Sequence, residues 1–223
     1  MSKNIFITAT GTDIGKTYVS ALIVKKMREA GLNCGYFKPV LSGVVAENNK
    51  LIESDCNYVV KTAKIPIEAD DCVSYWWEEA VSPHLASIRA HQTIDVEKIK
   101  NDFKKMQEKF DYVLVEGAGG ITCPLKLNNG EKYLLNDLIK DLGLNIIIVA
   151  DGGLGTINSI LLTVEYAKQR NIKVEGIILN NFELTNFMHQ DNLKQVEYLT
   201  GINVIATVEK NQTDINLLEN YFC

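Results

Sequence analysis

The chain has 223 residues, 46% of them hydrophobic and 23% charged, and a formal net charge of −5 at pH 7. That length suits one α/β domain with a sizeable core, spanning 1–223, and leaves too little chain for a second full domain. A negative balance lacks the clustered Lys and Arg that grip phosphate backbones, which excludes a general nucleic-acid surface and favours small-molecule substrates.

Met1-Ser2-Lys3 leads straight into a strand with nothing that reads as a signal segment. The longest purely aliphatic run, Ile146-Ile147-Ile148-Val149-Ala150, is too short to span a bilayer, so no membrane partner is expected. Cys34, Cys56, Cys72, Cys123 and Cys223 are odd in number and widely spaced, with no C-x-x-C pair. They read as reduced thiols of a cytoplasmic protein, not as a disulfide framework or a zinc site.

The β-like run Asn4-Ile5-Phe6-Ile7 is followed by Thr8-Ala9-Thr10-Gly11-Thr12-Asp13-Ile14-Gly15-Lys16-Thr17 and then by a helical pattern. A loop of small residues between a strand and a helix lets backbone N–H groups converge on phosphate oxygens, with the helix N-terminus adding positive potential. Lys16 would reach the terminal phosphates, and the Thr17 hydroxyl can hold Mg²⁺. The match to G-x-x-x-x-G-K-[ST] holds at its end and departs at its start, where Thr10 takes the place of the first glycine.

Val19, Leu22, Ile23, Met27 and Ala30 recur at helical spacing, with Gly31 as a stop. Asn33 to Phe37 reads as strand two, ending at Lys38-Pro39-Val40-Leu41-Ser42-Gly43. Lys38 and Ser42 should then lie on the ligand edge of a parallel sheet, although taken alone the segment reads more readily as a Pro-containing loop with a solvated lysine. Ser54-Asp55 suits a helix start, and capping is the bland account of Asp55. Asp70 to Trp77 suggests a short irregular strand, and Ser82-Pro83-His84 a helix N-terminus. His84, His91 and His189 have no metal-ligand spacing.

Val96, Ile99, Phe103, Met106 and Phe110 form an apolar helical stripe. The buried-strand run Asp111-Tyr112-Val113-Leu114-Val115 then ends in Glu116, followed by Gly117-Ala118-Gly119-Gly120. A carboxylate at the C-terminal end of a strand, opposite the phosphate loop, can orient Mg²⁺ directly or through water. The alternative, a strand stopped by a charge before a glycine turn, is disfavoured by the phosphate-type loop upstream. Tyr133 to Leu142 reads as a short helix and Asn145 to Ala150 as a strand. After Asp151-Gly152-Gly153-Leu154, the segment Gly155-Thr156-Ile157-Asn158 opens another helix whose free N–H groups could hold a carboxylate. Val174 to Leu179 is a strand ending at Asn180-Asn181, Gln190 to Leu199 a helix, and Val204 to Val208 a last strand. Strands alternating with helices imply an α/β fold, a doubly wound and mainly parallel sheet flanked by helices.

These pieces in this order resemble the dethiobiotin synthetase family, and the resemblance spans nearly all of the chain. It rests on Thr12-Asp13-Ile14-Gly15-Lys16-Thr17, Lys38-Pro39-Val40-Leu41-Ser42-Gly43, Ser54-Asp55, Ser82-Pro83-His84, Val115-Glu116-Gly117-Ala118-Gly119-Gly120, Leu154-Gly155-Thr156-Ile157-Asn158 and Asn180-Asn181. One departure is Ala9, where many members carry Gly, with an expected effect on nucleotide affinity rather than on reaction type.

The resemblance implies a P-loop NTPase-like fold and an ATP- and Mg²⁺-dependent ligase of biotin biosynthesis. Such an enzyme closes 7,8-diaminononanoate and CO2 into dethiobiotin through a carbamate and a carbamic-phosphoric anhydride, releasing ADP and phosphate. By family position, Lys16 and Lys38 would be catalytic. Asp13, Ile14, Gly15, Lys16, Thr17, Tyr18, Asp55, Glu116, Gly117, Ala118, Gly119, Asn180 and Asn181 would hold ATP, with Thr17, Asp55 and Glu116 as the Mg²⁺ set. Thr12 and Ser42 would contact substrate, and Gly155, Thr156, Ile157 and Asn158 would receive the substrate carboxylate from the neighbouring subunit of a homodimer. The competing expectation is a nucleotide-switch ATPase of the cell-division or partitioning type. That reading calls for an extra lysine early in the loop, where this chain has Thr8-Ala9-Thr10-Gly11, and for a basic or amphipathic element, whereas the C-terminus from Ile215 to Cys223 is acidic.

Overall fold

The computed structural model describes residues 4–127 and 130–217. Met1-Ser2-Lys3, Cys223 and the rest of 218–223 lie outside the described residues. In chain order the elements are β1 (Asn4–Ala9), α1 (Lys16–Glu29), β2 (Cys34–Ser42), β3 (Val45–Glu47), β4 (Lys50–Glu53), α2 (Asp55–Ala63), β5 (Val73–Trp77), α3 (Pro83–Arg89) and α4 (Val96–Lys109). There follow β6 (Tyr112–Glu116), β7 (Pro124–Lys126), β8 (Tyr133–Leu134), α5 (Leu135–Asp141), β9 (Ile146–Asp151), α6 (Thr156–Gln169), β10 (Val174–Asn180), α7 (Phe187–Thr200) and β11 (Val204–Val208).

Seven strands form one sheet in the order β11-β10-β9-β1-β6-β2-β5, and every pairing in it is parallel. Parallel neighbours need crossovers, and the helices supply them, covering both faces. Phe37 of β2 stacks on Phe103 of α4, with ring centroids 6.0 Å apart, on one face. Strand alternation sends Tyr36 and Lys38 to the other face, where they meet Glu116 of β6 and, for Lys38, Asp55 of α2. The run Ile146–Ala150 is entirely buried, as a central strand covered on both faces requires. No described helix is long and apolar enough to cross a membrane.

The chain reverses direction of strand addition around β1, which has β6 on one side and β9 on the other. A crevice opens at the carboxyl ends of the strands at such a reversal, and the loop from Thr10 to Gly15 starts there. Ala9 is the last residue of β1 and fully buried, with ordinary strand backbone that accepts a methyl group.

Two local readings change. Strand two does not stop at Phe37 but runs on to Ser42, because Cys34–Phe37 pair with β6 whereas Lys38–Ser42 pair with β5. Pro39 falls beyond the last residue paired with β6, so its missing N–H costs no ladder bond there. Tyr133 and Leu134 pair with β7 instead of starting a helix, which begins at Leu135. The antiparallel pair β3–β4 lies outside the main sheet and had no counterpart in the sequence reading.

Candidate active site

The phosphate-type loop is built by backbone geometry. Thr10 N–H donates to the Val149 carbonyl at 3.1 Å, which fixes where the chain leaves the sheet. Asp13 and Gly15 both adopt left-handed conformations, with φ 58° and 92°. At Gly15 a side chain would also run into the Asn180 amide, so glycine is required there twice over. Gly15 begins α1 with no side-chain cap, and the first turn carries no acidic residue. The first amide groups of a 14-residue helix are thus left facing the crevice. Lys16 is buried, and its ammonium donates to the Gly11 carbonyl at 3.1 Å, folding the side chain back over the loop. Burial first, and the nearby Lys38 charge second, pull its pKa below the usual lysine value.

Opposite the loop stands a buried charge cluster. Glu116 is fully inaccessible. Its Oε1 accepts from Lys38 Nζ at 2.6 Å and from Thr17 Oγ1 at 2.8 Å, while Oε2 accepts from the Tyr36 hydroxyl at 3.0 Å. Lys38 Nζ also donates to Asp55 Oδ2, so one ammonium bridges two carboxylates. Burial alone would push the Lys38 pKa down, but the Glu116 and Asp55 charges and hydrogen bonds outweigh it, and the net shift is upward. For Asp55 burial acts upward, yet the Lys38 ammonium pulls the net value below the usual carboxylate range. Burial and the Glu116 charge push the Tyr36 phenol far above its ordinary pKa, so it stays a donor.

A cavity of about 390 Å³ between loop and cluster is lined by Thr12, Asp13, Gly15, Lys16, Thr17, Lys38, Leu41, Ser42, Asp55, Ala118 and Gly119. Ten of the twenty expected site residues therefore converge on it. Ser42 lines it while its hydroxyl donates to the Val81 carbonyl at 2.6 Å. Gly117 lies behind the lining, in a packing that a side chain would disturb at Leu135 and Phe6. Asn180 sits under the loop, where its Nδ2 donates to the Ile14 carbonyl at 2.9 Å and its buried Oδ1 has no partner among the described residues. Asn181 donates to Asp151 Oδ2 at 2.7 Å. The Tyr18 hydroxyl donates to the Gln212 carbonyl, in the segment that follows β11.

Gly155, Thr156, Ile157 and Asn158 do not line this cavity. They begin α6, with Gly155 left-handed at φ 89°, no acidic residue in the first turn, and a buried Thr156 hydroxyl that has no partner among the described residues. Sequence reasoning passed over Tyr36 and Leu41. The signal for Tyr36 was available, because a residue two before Lys38 in a strand shares its face.

A family model described as an AAA domain matches residues 3–215. The ATP-dependent dethiobiotin synthetase BioD of Brachyspira hyodysenteriae is 49% identical over 208 residues, covering 93% of this chain and 92% of its own. BioD of Clostridium botulinum strain 657 is 49% identical over 217 residues, covering 97% and 95%. Among solved structures, the MinC:MinD cell division complex of Aquifex aeolicus superposes with a TM-score of 0.54 at 14% identity, over 93% of this chain and 81% of that one. A ParA family ATPase from Chlorobium tepidum gives 0.53 at 11% identity, over 95% and 86%. At those identities the two structures share the phosphate-loop NTPase fold with this chain and nothing finer, so the switch-ATPase reading is not favoured. Near-complete coverage of relatives at almost half identity carries the assignment: this chain belongs to the family of ATP-dependent dethiobiotin synthetases.

Proposed function

We propose that this single-domain ligase converts 7,8-diaminononanoate, CO2 and ATP into dethiobiotin, ADP and phosphate in biotin biosynthesis. The observation that carries the reading is the Lys38 ammonium, buried between Asp55 and Glu116 and set across one cavity from Lys16. A second lysine supplied by β2 suits the charge neutralisation and positioning that phosphoryl transfer needs.

In this reading one amine of the substrate adds to CO2 and loses a proton, giving a carbamate. A carbamate oxygen attacks the γ-phosphorus and ADP leaves. The second amine then attacks the carbamoyl carbon of the anhydride, phosphate departs, and loss of a proton completes the ureido ring. The raised pKa of Lys38 makes it a fixed cation and not a proton acceptor, so it holds the carbamate and the transferring phosphoryl by charge. Phosphate oxygens arriving beside Lys16 would favour its charged form and oppose the desolvation that lowers its pKa.

The residues fit Mg²⁺. Thr17, Asp55 and Glu116 offer an all-oxygen set on which the Lys38 ammonium now sits, so Mg²⁺ would share these oxygens with Lys38 and take the rest of its ligands from nucleotide phosphates and water. Among the described residues no group of three or more His, Cys, Asp or Glu side chains is suited to a metal ion. Bound at the shared oxygens, Mg²⁺ would offset charge on the nucleotide phosphates.

Asn180, whose Oδ1 is free to accept, suits a purine edge, with Asn181 beside it. The unpartnered Thr156 hydroxyl and the open start of α6 suit a carboxylate. That site does not line the main cavity, and in this reading it serves the neighbouring subunit of a homodimer. The exposed Leu154 and Leu162 beside it are in keeping with such a contact.

The test is a mass-spectrometric assay with 7,8-diaminononanoate, bicarbonate, Mg²⁺ and ATP, run beside a Lys16→Ala control. Dethiobiotin and ADP should appear together, and only with the unmodified protein. ATP hydrolysis without ring closure would overturn the synthetase reading and leave the fold assignment intact.

A further inference from the structure

Asn180 ends β10, and Asn181 follows it in the left-handed conformation with φ 53°. Both side-chain amides are anchored by their nitrogens. Asn180 Nδ2 donates to the Ile14 carbonyl at 2.9 Å, and Asn181 Nδ2 donates to Asp151 Oδ2 at 2.7 Å. A carbonyl or an ionised carboxylate accepts and cannot donate, so these partners fix which end of each amide is which. The end left over is an oxygen in both cases. That of Asn180 has no partner among the described residues, and Asn181 is exposed with its nitrogen end held at Asp151. We infer that Asp151 is a positioning residue for base selection: by holding the Asn181 nitrogen it leaves an acceptor for the nucleotide, so a base with an exocyclic amine is preferred to one with a carbonyl at the same place. This inference rests on the reading of Asn181 as a base contact.

Asp151 is itself held. It ends β9 in register with Asn180, and its Oδ1 accepts from the Gly153 N–H at 2.8 Å, which leaves Oδ2 for Asn181. Gly152 N–H donates to the Asn180 carbonyl at 2.8 Å. Asn192 of α7 donates to the carbonyls of Gly152 and Gly153 at 2.9 and 3.0 Å. The carboxylate that orients Asn181 is thus fixed by two strands and a helix. Adenine presents an N6 amine, a donor, where guanine presents O6, an acceptor. An amide oxygen can bond the first, whereas against the second it leaves two acceptors facing each other. The second N–H of Asn181 does not reverse this, because it sits on the nitrogen kept at the carboxylate.

The experiment is calorimetric titration of the full chain with ADP and with IDP, whose base carries a carbonyl in place of the adenine amine. Asp151→Asn is the informative variant. Gly153 N–H still requires an oxygen from the new side chain, which turns the new NH₂ toward Asn181. Asn181 must then give its oxygen to that NH₂ and its nitrogen to the base. The unmodified protein should bind ADP about ten-fold more tightly than IDP, the scale of one base-edge hydrogen bond. In the variant the ratio should fall to about one or below. Equal binding of ADP and IDP by the unmodified protein overturns the inference. So does an unchanged ratio in the folded variant, because a merely structural role would weaken both nucleotides alike.

Should Asp151→Asn fail to fold, Asp151→Ser decides. Its hydroxyl can still accept from Gly153 N–H but is too short to anchor Asn181, so the ratio should fall toward one, and an unchanged ratio overturns the inference. Asn181→Ala separates the two readings. A preference for ADP that this change abolishes and Asp151→Asn leaves intact sinks the role of Asp151 and keeps Asn181 as a base contact. A preference that survives both changes sinks both. The titration needs no product, so a shifted ratio without dethiobiotin formation sinks the synthetase reading alone.

Discussion

Replacing Lys38 with Met removes the one cation that holds two carboxylates together and keeps a side chain of similar length. Glu116 would be left buried without its counter-charge, and breaking such a pair costs about 3–5 kcal/mol of stability. The low end, about 3 kcal/mol, is expected here because Thr17 and Tyr36 still donate to Glu116. The pH dependence has a definite sign. A carboxylate with a depressed folded pKa, as for Asp55, contributes stability above its usual value of 3.8 and gives it up as pH falls through the folded value. Lys38, whose folded pKa is raised, contributes fully below its usual 10.5 and loses this only as pH rises through the folded value. The interaction is therefore complete at pH 7 and fades on acidification. Urea unfolding of the two proteins should show the full difference from pH 7 down to the usual Asp55 value of 3.8, with the gap shrinking only as the pH falls below it. In single-turnover assays of phosphoryl transfer at pH 7, loss of one charged stabiliser should slow the reaction about a hundred- to a thousand-fold. Near-normal turnover would remove Lys38 from the chemistry. A stability difference that did not change with pH would refute the charge-pair account.

Gly15→Ala forces a methyl group onto the Asn180 amide at a left-handed residue, so it should cost about 1–3 kcal/mol in thermal or chemical unfolding and weaken ATP-analogue binding in calorimetry. Thr156→Val removes an unpartnered buried hydroxyl at nearly constant volume. It should leave stability unchanged or slightly raised, while steady-state assays show KM for diaminononanoate up about ten-fold and KM for ATP unaltered. Burial pushes the Cys34 and Cys72 thiols up to about 12 and the Cys123 thiol to about 11. Alkylation at pH 7.5, followed by peptide mass spectrometry, should find all three largely unmodified until denaturant is added.

The alternation of apolar strands with amphipathic helices, the Gly-Lys-Thr step after β1 and the carboxylate ending β6 were all legible in the residues, because periodicity and strand-end chemistry are local properties. The continuation of β2 through Pro39 was not, since it depends on β5 taking over the pairing from β6 exactly where the proline's missing N–H ceases to matter. The strand at Tyr133–Leu134 was hidden for the same reason: its partner, β7, lies elsewhere in the chain. From local pattern alone Asp55 could be read only as a helix-starting residue, and it was the family resemblance that gave it a place in the site. Ser54 does supply the cap, accepting from Asn57 N–H at 3.2 Å, which frees Asp55 to face Lys38.

Local pattern and order along the chain thus determined the class of fold, the phosphate loop and the family, since each depends on residue types at short, fixed spacings. Only the tertiary structure decided how the charges are shared. Lys38 and Asp55 are separated by 17 positions, Lys38 and Glu116 by 78, and Thr17 and Glu116 by 99, and no spacing rule reaches across such distances. The strand order places β6 between β1 and β2, so their carboxyl ends come together and a buried glutamate finds a lysine, a threonine and a tyrosine at once. An ion cluster in a dry interior is favourable only when every oxygen has a partner, and those partners exist only once the sheet has formed.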